Sequence, residues 1–189
     1  HNRVRRQRQM CIRDSVITTV PPRQAADILR STNSAMVRSL IPIEPQGCWS
    51  LMLVTKPALR LSLVSDPGNK IIERVINENA KGQSSAHLGL YTVHAKRPWS
   101  QRHMQTTKAD VQNAMIEGLQ SLGLNSGNIL HAQLHRWMYA GVVQPFGRPY
   151  LSDAQRGLYC AGDWCLGNDI NSALRSANAT AASIIQSLV

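Results

Sequence analysis

The sequence predicts a mixed α/β fold of the α+β kind, in which a strand–helix pair at each end encloses a middle of consecutive strands. Three observations carry that prediction. Near the start, β-branched "VITTVPP" (Val16–Pro22) precedes "RQAADILRS", whose Ala25, Ile28 and Leu29 fall on one helical face. Near the end, "GLYCAGDWCLGNDINSALRSANATAASII" reads as a strand, a Gly-Asp turn and a long helix. Between them lie short runs of strand character separated by turn residues.

The elements follow in order. Val16–Pro22 reads as a buried strand stopped by prolines. "IPIEPQG" (41–47) is a Pro/Gly-rich connection. Cys48–Val54 and Leu61–Ser65 are strand-like, "DPGNK" (66–70) is a turn, and Ile71–Asn79 is a candidate strand. Leu88–Ala95 is a further strand ending at "KRPWS". Val111, Met115, Leu119 and Leu122 recur at helical spacing and predict a helix over 108–122, with Thr107 as cap and Asp110 in the position of a capping box. Ile129–Ala140 is a long strand and "QPFGRPYLSDAQRG" (144–157) a loop. Leu158–Ala161 is a strand, Gly162–Asp169 a turn and Ile170–Leu188 a helix. Ile170, Ala173, Leu174, Ala177, Ala181, Ile184, Ile185 and Leu188 make one apolar stripe along it. The segments group as a basic tail over 1–15, a strand and helix over 16–32, a strand-rich part over 33–145 and a strand–turn–helix over 146–189.

Composition narrows the classes. The chain has 189 residues, 43% hydrophobic and 17% charged, which is the balance of a folded globular protein. No apolar run approaches the roughly 20 residues that span a bilayer, so no membrane is expected. Cys11, Cys48, Cys160 and Cys165 are too few and scattered for a disulfide framework. They point to a reducing cytoplasm, and no second pair completes a metal site. The net charge of +10 invites a nucleic-acid reading. Yet residues 1–15 hold five arginines against Asp14, a net +4, and the other +6 is spread thinly over 174 residues. "HNRVRRQRQMCIRDS" lacks an initiator Met and does not suit the fold that follows. It reads as a non-native or disordered tail on a fragment, with a basic nucleic-acid arm or an Arg-rich transit peptide as alternatives. No nucleic acid is expected as a partner.

Two places carry candidate chemistry. At the turn, Gly162 allows close backbone approach, Asp163 offers an acceptor to hydroxyl groups, and the helix start offers unpaired N–H groups with partial positive charge. Such a turn suits a ligand with a polyol and a phosphate or another electron-rich edge. A tightly packed βα unit with an N-capped helix reads the same residues equally well. In "HAQLHRWMY", Ala132, Leu134, Arg136 and Met138 face one way and His131, Gln133, His135, Trp137 and Tyr139 the other. Trp137 and Tyr139 offer stacking surface to a flat ring, and His135 is a candidate for proton handling. A sheet with one merely wet face reads the same alternation. Trp99 is read as a hydrophobic anchor, and His87, His94 and His103 show no ligand spacing.

The final 29-residue stretch quoted above resembles the C-terminal flavin motif of the FAD-dependent amine oxidase superfamily. With "VITTVPPRQAADIL", "CWSLMLVTKPAL", "VHAKRPWSQRHM" and "HRWMYAGV" in order, the chain is similar to renalase-like FAD/NAD(P)-binding oxidoreductases from about Val16 onward. The resemblance implies part of an FAD/NAD(P)-binding Rossmann-like domain (16–32 and 146–189) with an inserted antiparallel-sheet substrate domain (33–145). It implies FAD as cofactor, with Gly162 and Asp163 at the ribityl-phosphate region and the helix start, Asn168, Asp169, Ile170, Asn171 and Ala173, at the pyrimidine edge. It implies hydride transfer from a dihydronicotinamide or amine substrate to flavin, with oxygen as acceptor. A mono- or polyamine oxidase fragment and a non-catalytic remnant or basic nucleic-acid binder are the alternatives. Trp137, Tyr139 and His135 become the substrate-side wall. The sequence departs from the family where an "RVEGA"-like run reads "DINSA" (169–173), placing an acid beside the position of reduced flavin. It also holds no Gly-x-Gly-x-x-Gly, so the N-terminal FAD-binding segment is expected to be missing.

Overall fold

The computed structural model describes residues 14–58, 64–65, 68–82 and 87–188. The basic tail before Asp14, Leu61–Leu63 of an expected strand, and Asp66 and Pro67 of the expected turn lie outside the described residues. In chain order the elements are β1 (Val16–Thr18), α1 (Pro22–Leu29), α2 (Met36–Leu40), β2 (Pro45–Thr55), β3 (Val64–Ser65), β4 (Ile72–Asn77), β5 (Gly89–Ala95), α3 (Arg97–Arg102), α4 (Lys108–Gln120), β6 (Ile129–Val142), β7 (Leu151–Asp153), β8 (Leu158–Cys160) and α5 (Ile170–Leu188). The fold is the mixed α/β arrangement that the sequence predicts, built on two sheets. It divides into two compact units, one of residues 1–45 and 141–189, the other of residues 46–140.

In the first unit, β1, β8 and β7 form a three-stranded sheet in that order. β1 runs parallel to β8, with Val16 opposite Leu158 and Thr18 opposite Cys160, while β7 pairs antiparallel. Pro22 opens α1, where its fixed φ suits the first turn and no N–H is lost from the ladder. Ala25, Ala26 and Leu29 of α1 pack on Met36 and Leu40 of α2 and on Leu158, Cys160 and Trp164. Ser34 ties the α1–α2 corner to β7, donating its hydroxyl to the Asp153 carboxylate at 2.8 Å.

Several expectations for this unit are corrected. The first strand is three residues long, and Val16 and Ile17 are half exposed rather than buried. Ile28 faces solvent because Ala26, not Ile28, completes the buried face of α1. The loop over 144–157 contains strand β7, and α2 was not anticipated. The largest correction concerns α5, whose bounds match the prediction but whose faces do not. Ser172, Ser176 and Thr180 are buried, while Ile170, Leu174 and Ile185 are 79%, 56% and 63% exposed. Small hydroxyl side chains win the inner face because the helix lies close to the end of β8. There Gly162 N–H donates to Ser176 Oγ at 2.9 Å, and Thr180 Oγ1 turns back onto the Ser176 carbonyl at 2.7 Å.

The second unit is a five-stranded sheet in the order β3-β4-β5-β2-β6. Strict alternation decides its faces. Trp49, Leu51 and Leu53 of β2 and Tyr91, Val93 and Ala95 of β5 point to one side, where Val111, Met115 and Leu119 of α4 meet them. Thr107 caps α4 as predicted: its hydroxyl accepts from Asp110 N–H at 3.2 Å and donates to the Asp110 carboxylate at 2.6 Å. β2 starts at Pro45, inside the expected connection, and Gly47 N–H there donates to Gln101 Oε1 at 3.2 Å. β4 carries a bulge: Ile72 pairs with Ala95 and Arg74 with His94, leaving Glu73 as an extra residue.

Candidate functional site

The turn after β8 is built from a missing side chain and a spare acceptor. A Cβ on Gly162 would stand 2.6 Å from Trp164 Nε1 and 2.7 Å from its Cδ1, so only glycine lets the indole pack there. That indole is buried, and among the described residues its Nε1–H has no hydrogen-bond partner. The Gly162 carbonyl accepts from Cys165 N–H at 3.2 Å, and the Asp163 carbonyl accepts from Leu166 and Gly167 N–H at 3.0 and 2.8 Å. These bonds close a tight 3-10 turn. Asp163 is partly buried. Its Oδ1 accepts from Trp164 N–H at 2.9 Å, and among the described residues the other carboxylate oxygen takes no hydrogen bond.

The residues expected at the helix start are already engaged within the protein. Asn168 is joined to the end of β6: its Oδ1 accepts from Val142 N–H at 2.7 Å and its Nδ2 donates to the Val142 carbonyl at 2.9 Å. Asp169 is the cap of α5, its Oδ1 accepting from Ser172 N–H at 2.7 Å. That backbone bond, with the Ser172 hydroxyl and the Asn171 N–H, holds its carboxyl below the ordinary carboxylate range. The acid in "DINSA" is therefore turned onto its own helix, where it neutralises part of the positive helix end. Ile170 and Asn171 face solvent and Ala173 is partly buried. The two thiols nearby are inert. Burial pushes Cys160 up to about 12 and Cys165 up to about 11, so neither forms an appreciable thiolate at neutral pH.

The second unit contains a cavity of about 380 Å³ on the sheet face opposite α4, lined by Cys48, Ser50, Glu73, Arg74, His94, Arg97, Trp137 and Ala140. Register explains how residues far apart in sequence arrive together. Arg74 is the partner of His94, and His94 is the partner of Ser50, so the three form a row across β4, β5 and β2. Partners in such a row project to the same face with Cβ atoms about 5 Å apart. The bulge places Glu73 beside Arg74 on the cavity wall. Arg97 enters from the first turn of α3, where one guanidinium N–H donates to Gln46 Oε1 at 3.1 Å. Burial, then the Arg74 charge, lowers the His94 pKa, so its ring is neutral at pH 7. Burial likewise raises the Cys48 thiol, which leans on the Trp49 and Ala95 carbonyls.

The predicted wall residues lie on the outer strand of that sheet. Trp137 lines the cavity and is 54% exposed. His135 packs its ring against Trp137 with centroids 4.3 Å apart, and Tyr139 is 43% exposed on the same strand. On the opposite face of β6, Leu134 enters the core and Arg136 stacks its guanidinium 5.6 Å from the Trp49 ring centroid. Trp137, Tyr139 and His135 thus belong to one unit, and Gly162, Asp163 and Asn168–Ala173 to the other. Ser50, Glu73, Arg74, His94 and Arg97 were not singled out from sequence. The signal that finds them is the alternation of "CWSLMLV" and "LGLYTVHA": once the core face of each strand is known, Ser50 and His94 must share the other. Trp99 of α3 and His103 just after it stack at 4.1 Å, with Trp99 buried in the core as a hydrophobic anchor.

No protein-family model matches the chain. Among solved structures, it is similar to a protein from Exiguobacterium sp. 255-15 provisionally named a protoporphyrinogen oxidase, with a TM-score of 0.67 and 15% identity over 90% of this chain and 41% of that one. It is also similar to an oxidoreductase from Methanosarcina mazei, with a TM-score of 0.58 and 16% identity over 90% of this chain and 43% of that one. At these identities the likeness is one of fold. The chain spans about two fifths of the length of either structure.

Proposed function

We propose that this chain is part of a flavin-dependent oxidoreductase that takes hydride from a reduced nicotinamide-type substrate, with oxygen as the final acceptor. One observation carries the reading: at the end of a strand, ahead of a long helix, Gly162 leaves no room for a side chain and Asp163 keeps one carboxylate oxygen free. A free carboxylate oxygen at that place accepts from the hydroxyl groups of a polyol, which fits the ribityl chain of FAD. The fold shared with two oxidoreductases supports it.

The turn fits the cofactor and the helix start fits it less well. Gly162 and Asp163 would hold the polyol region. Asn168 is committed to Val142, and Asp169 already occupies N–H groups that an electron-rich ring edge would otherwise use. When bound, FAD supplies the two-electron acceptor. The chain's own contribution is to orient rings and set charge. Trp137 offers a stacking face in the second unit, with His135 against it. The strand-rich middle of the sequence is poor in acids that would hold a cationic amine, which is why the nicotinamide-type reading leads.

The test is to recover the complete reading frame that encodes this chain, purify the protein and measure bound flavin by its visible absorbance and by titration with FAD. The parent is expected to retain FAD. Asp163→Ala removes a charge-assisted bond worth roughly 1.5–3 kcal/mol, so affinity should fall about 10- to 100-fold. A colourless parent that takes up no added FAD overturns the reading.

A further inference from the structure

The cavity on the open sheet face of the second unit carries more information than a stacking wall. Its charges do not cancel by contact. Among the described residues, Arg74 and Glu73 form no ion pair, and Arg97 is held only by Gln46. With His94 neutral, two guanidinium groups against one carboxylate leave a net single positive charge around about 380 Å³. That volume falls in the range of small-molecule sites.

A second observation points the same way. Ser50 lines this cavity and is 5% exposed, and among the described residues its hydroxyl has no partner other than the neighbouring Cys48 thiol. The Cys48 thiol beside it is a weak partner and stays protonated. A buried hydroxyl left with only a thiol is poorly satisfied, because a weak bond compensates little of its desolvation. It belongs to the same cross-strand row as Arg74 and His94. Once turned toward the cavity, the hydroxyl would gain a stronger partner from a ligand acceptor.

We infer that this cavity binds a small planar aromatic carboxylate, with the carboxylate between Arg74, Arg97 and the Ser50 hydroxyl and the ring against Trp137. The guanidinium fork matches a carboxylate in shape as well as charge. A single net charge fits a monoanion better than a phosphate dianion. Trp137, more than half exposed at the cavity wall, supplies the aromatic surface. The inference rests on the second unit's own side chains and is separate from the flavin reading.

The experiment is calorimetric titration of the full 189-residue chain with benzoate, benzamide and inorganic phosphate, without flavin. Benzoate is expected to bind, benzamide to bind at least tenfold more weakly, and phosphate to compete poorly. Arg74→Gln and Arg97→Gln should each weaken benzoate about tenfold, and Trp137→Leu should weaken benzoate and benzamide alike. Ser50→Ala deletes only that weakly partnered hydroxyl and should weaken benzoate severalfold while leaving the fold intact by circular dichroism. Arg102→Gln, an exposed charge outside the cavity, should change nothing. Absence of benzoate binding at millimolar concentration overturns the inference. So does equal binding of benzoate and benzamide, or binding unchanged by the two cavity arginines. Because no flavin is present, a negative result here leaves the cofactor reading standing, and a colourless complete protein leaves this one standing.

Discussion

Asn168 separates a structural from a cofactor-binding role for the helix start. Its side-chain amide makes two bonds to one residue, accepting from Val142 N–H at 2.7 Å and donating to the Val142 carbonyl at 2.9 Å. Val142 is 2% exposed and sits in the core of the first unit. The amide thus substitutes for a neighbouring strand at the end of β6. Asn168→Ala removes both bonds and leaves a buried N–H without a partner. Each lost bond is worth about 1 kcal/mol, and the unsatisfied donor brings the total to about 2–3 kcal/mol. For a chain of this length that is a fall in Tm of roughly 4–12 °C. Asn168→Asp keeps an acceptor for the N–H but sets a carboxylate against the Val142 carbonyl, so it should be no more stable than the alanine variant. The assay is thermal unfolding followed by circular dichroism, with FAD titration of the complete protein alongside. A Tm within about 1 °C of the parent, together with a large loss of FAD affinity, refutes the argument and returns Asn168 to the cofactor.

Three further outcomes are expected. Gly162→Ala drives a methyl into the buried Trp164 indole at 2.6 Å and should cost about 1–3 kcal/mol, read in the same unfolding assay; an unchanged Tm would contradict the close packing. At pH 8, Cys48, Cys160 and Cys165 should resist a thiol reagent in the folded chain and react on unfolding. Fast native reaction of Cys160 would contradict its elevation to about 12. His94 has its pKa lowered by burial, so below about 6.5 the unfolded chain takes up a proton that the folded chain refuses. Stability should therefore fall as pH drops from about 6.5 through the lowered value, and His94→Asn should flatten that part of the curve; an unaltered slope would sink the assignment.

Elements with a single strong period were legible in the sequence. α4 and its Thr107 cap, the bounds of α5, and strands β2, β5 and β6 follow from apolar spacing and cap chemistry. The inner face of α5 was not legible, because hydropathy places Ile170 and Leu174 inward whereas close approach to a sheet selects Ser172, Ser176 and Thr180. At the candidate site, Gly162, Asp163 and Trp137 stand out as local signals. Ser50, Arg74, His94 and Arg97 meet only through strand pairing, which no window of sequence contains. Asn168 and Asp169 were read as facing a ligand because cap and strand-end bonds depend on where Val142 and Ser172 lie.

The bulge in β4 also breaks the period of "IIERVINEN", the candidate strand. Ile72 and Val75 are both buried on the core face although three residues apart, a spacing more typical of a helix than a strand. Remove Glu73 and the alternation becomes regular: Ile72 still opposes Ala95, Arg74 still opposes His94, and Val75 still opposes Val93. Glu73 is therefore an insertion that the sheet tolerates without using. Its loss would take one negative charge from the cavity and leave every core pair in register. The electrostatic preference of this face can then vary by single-residue insertion or deletion while the sheet that carries it stays unchanged.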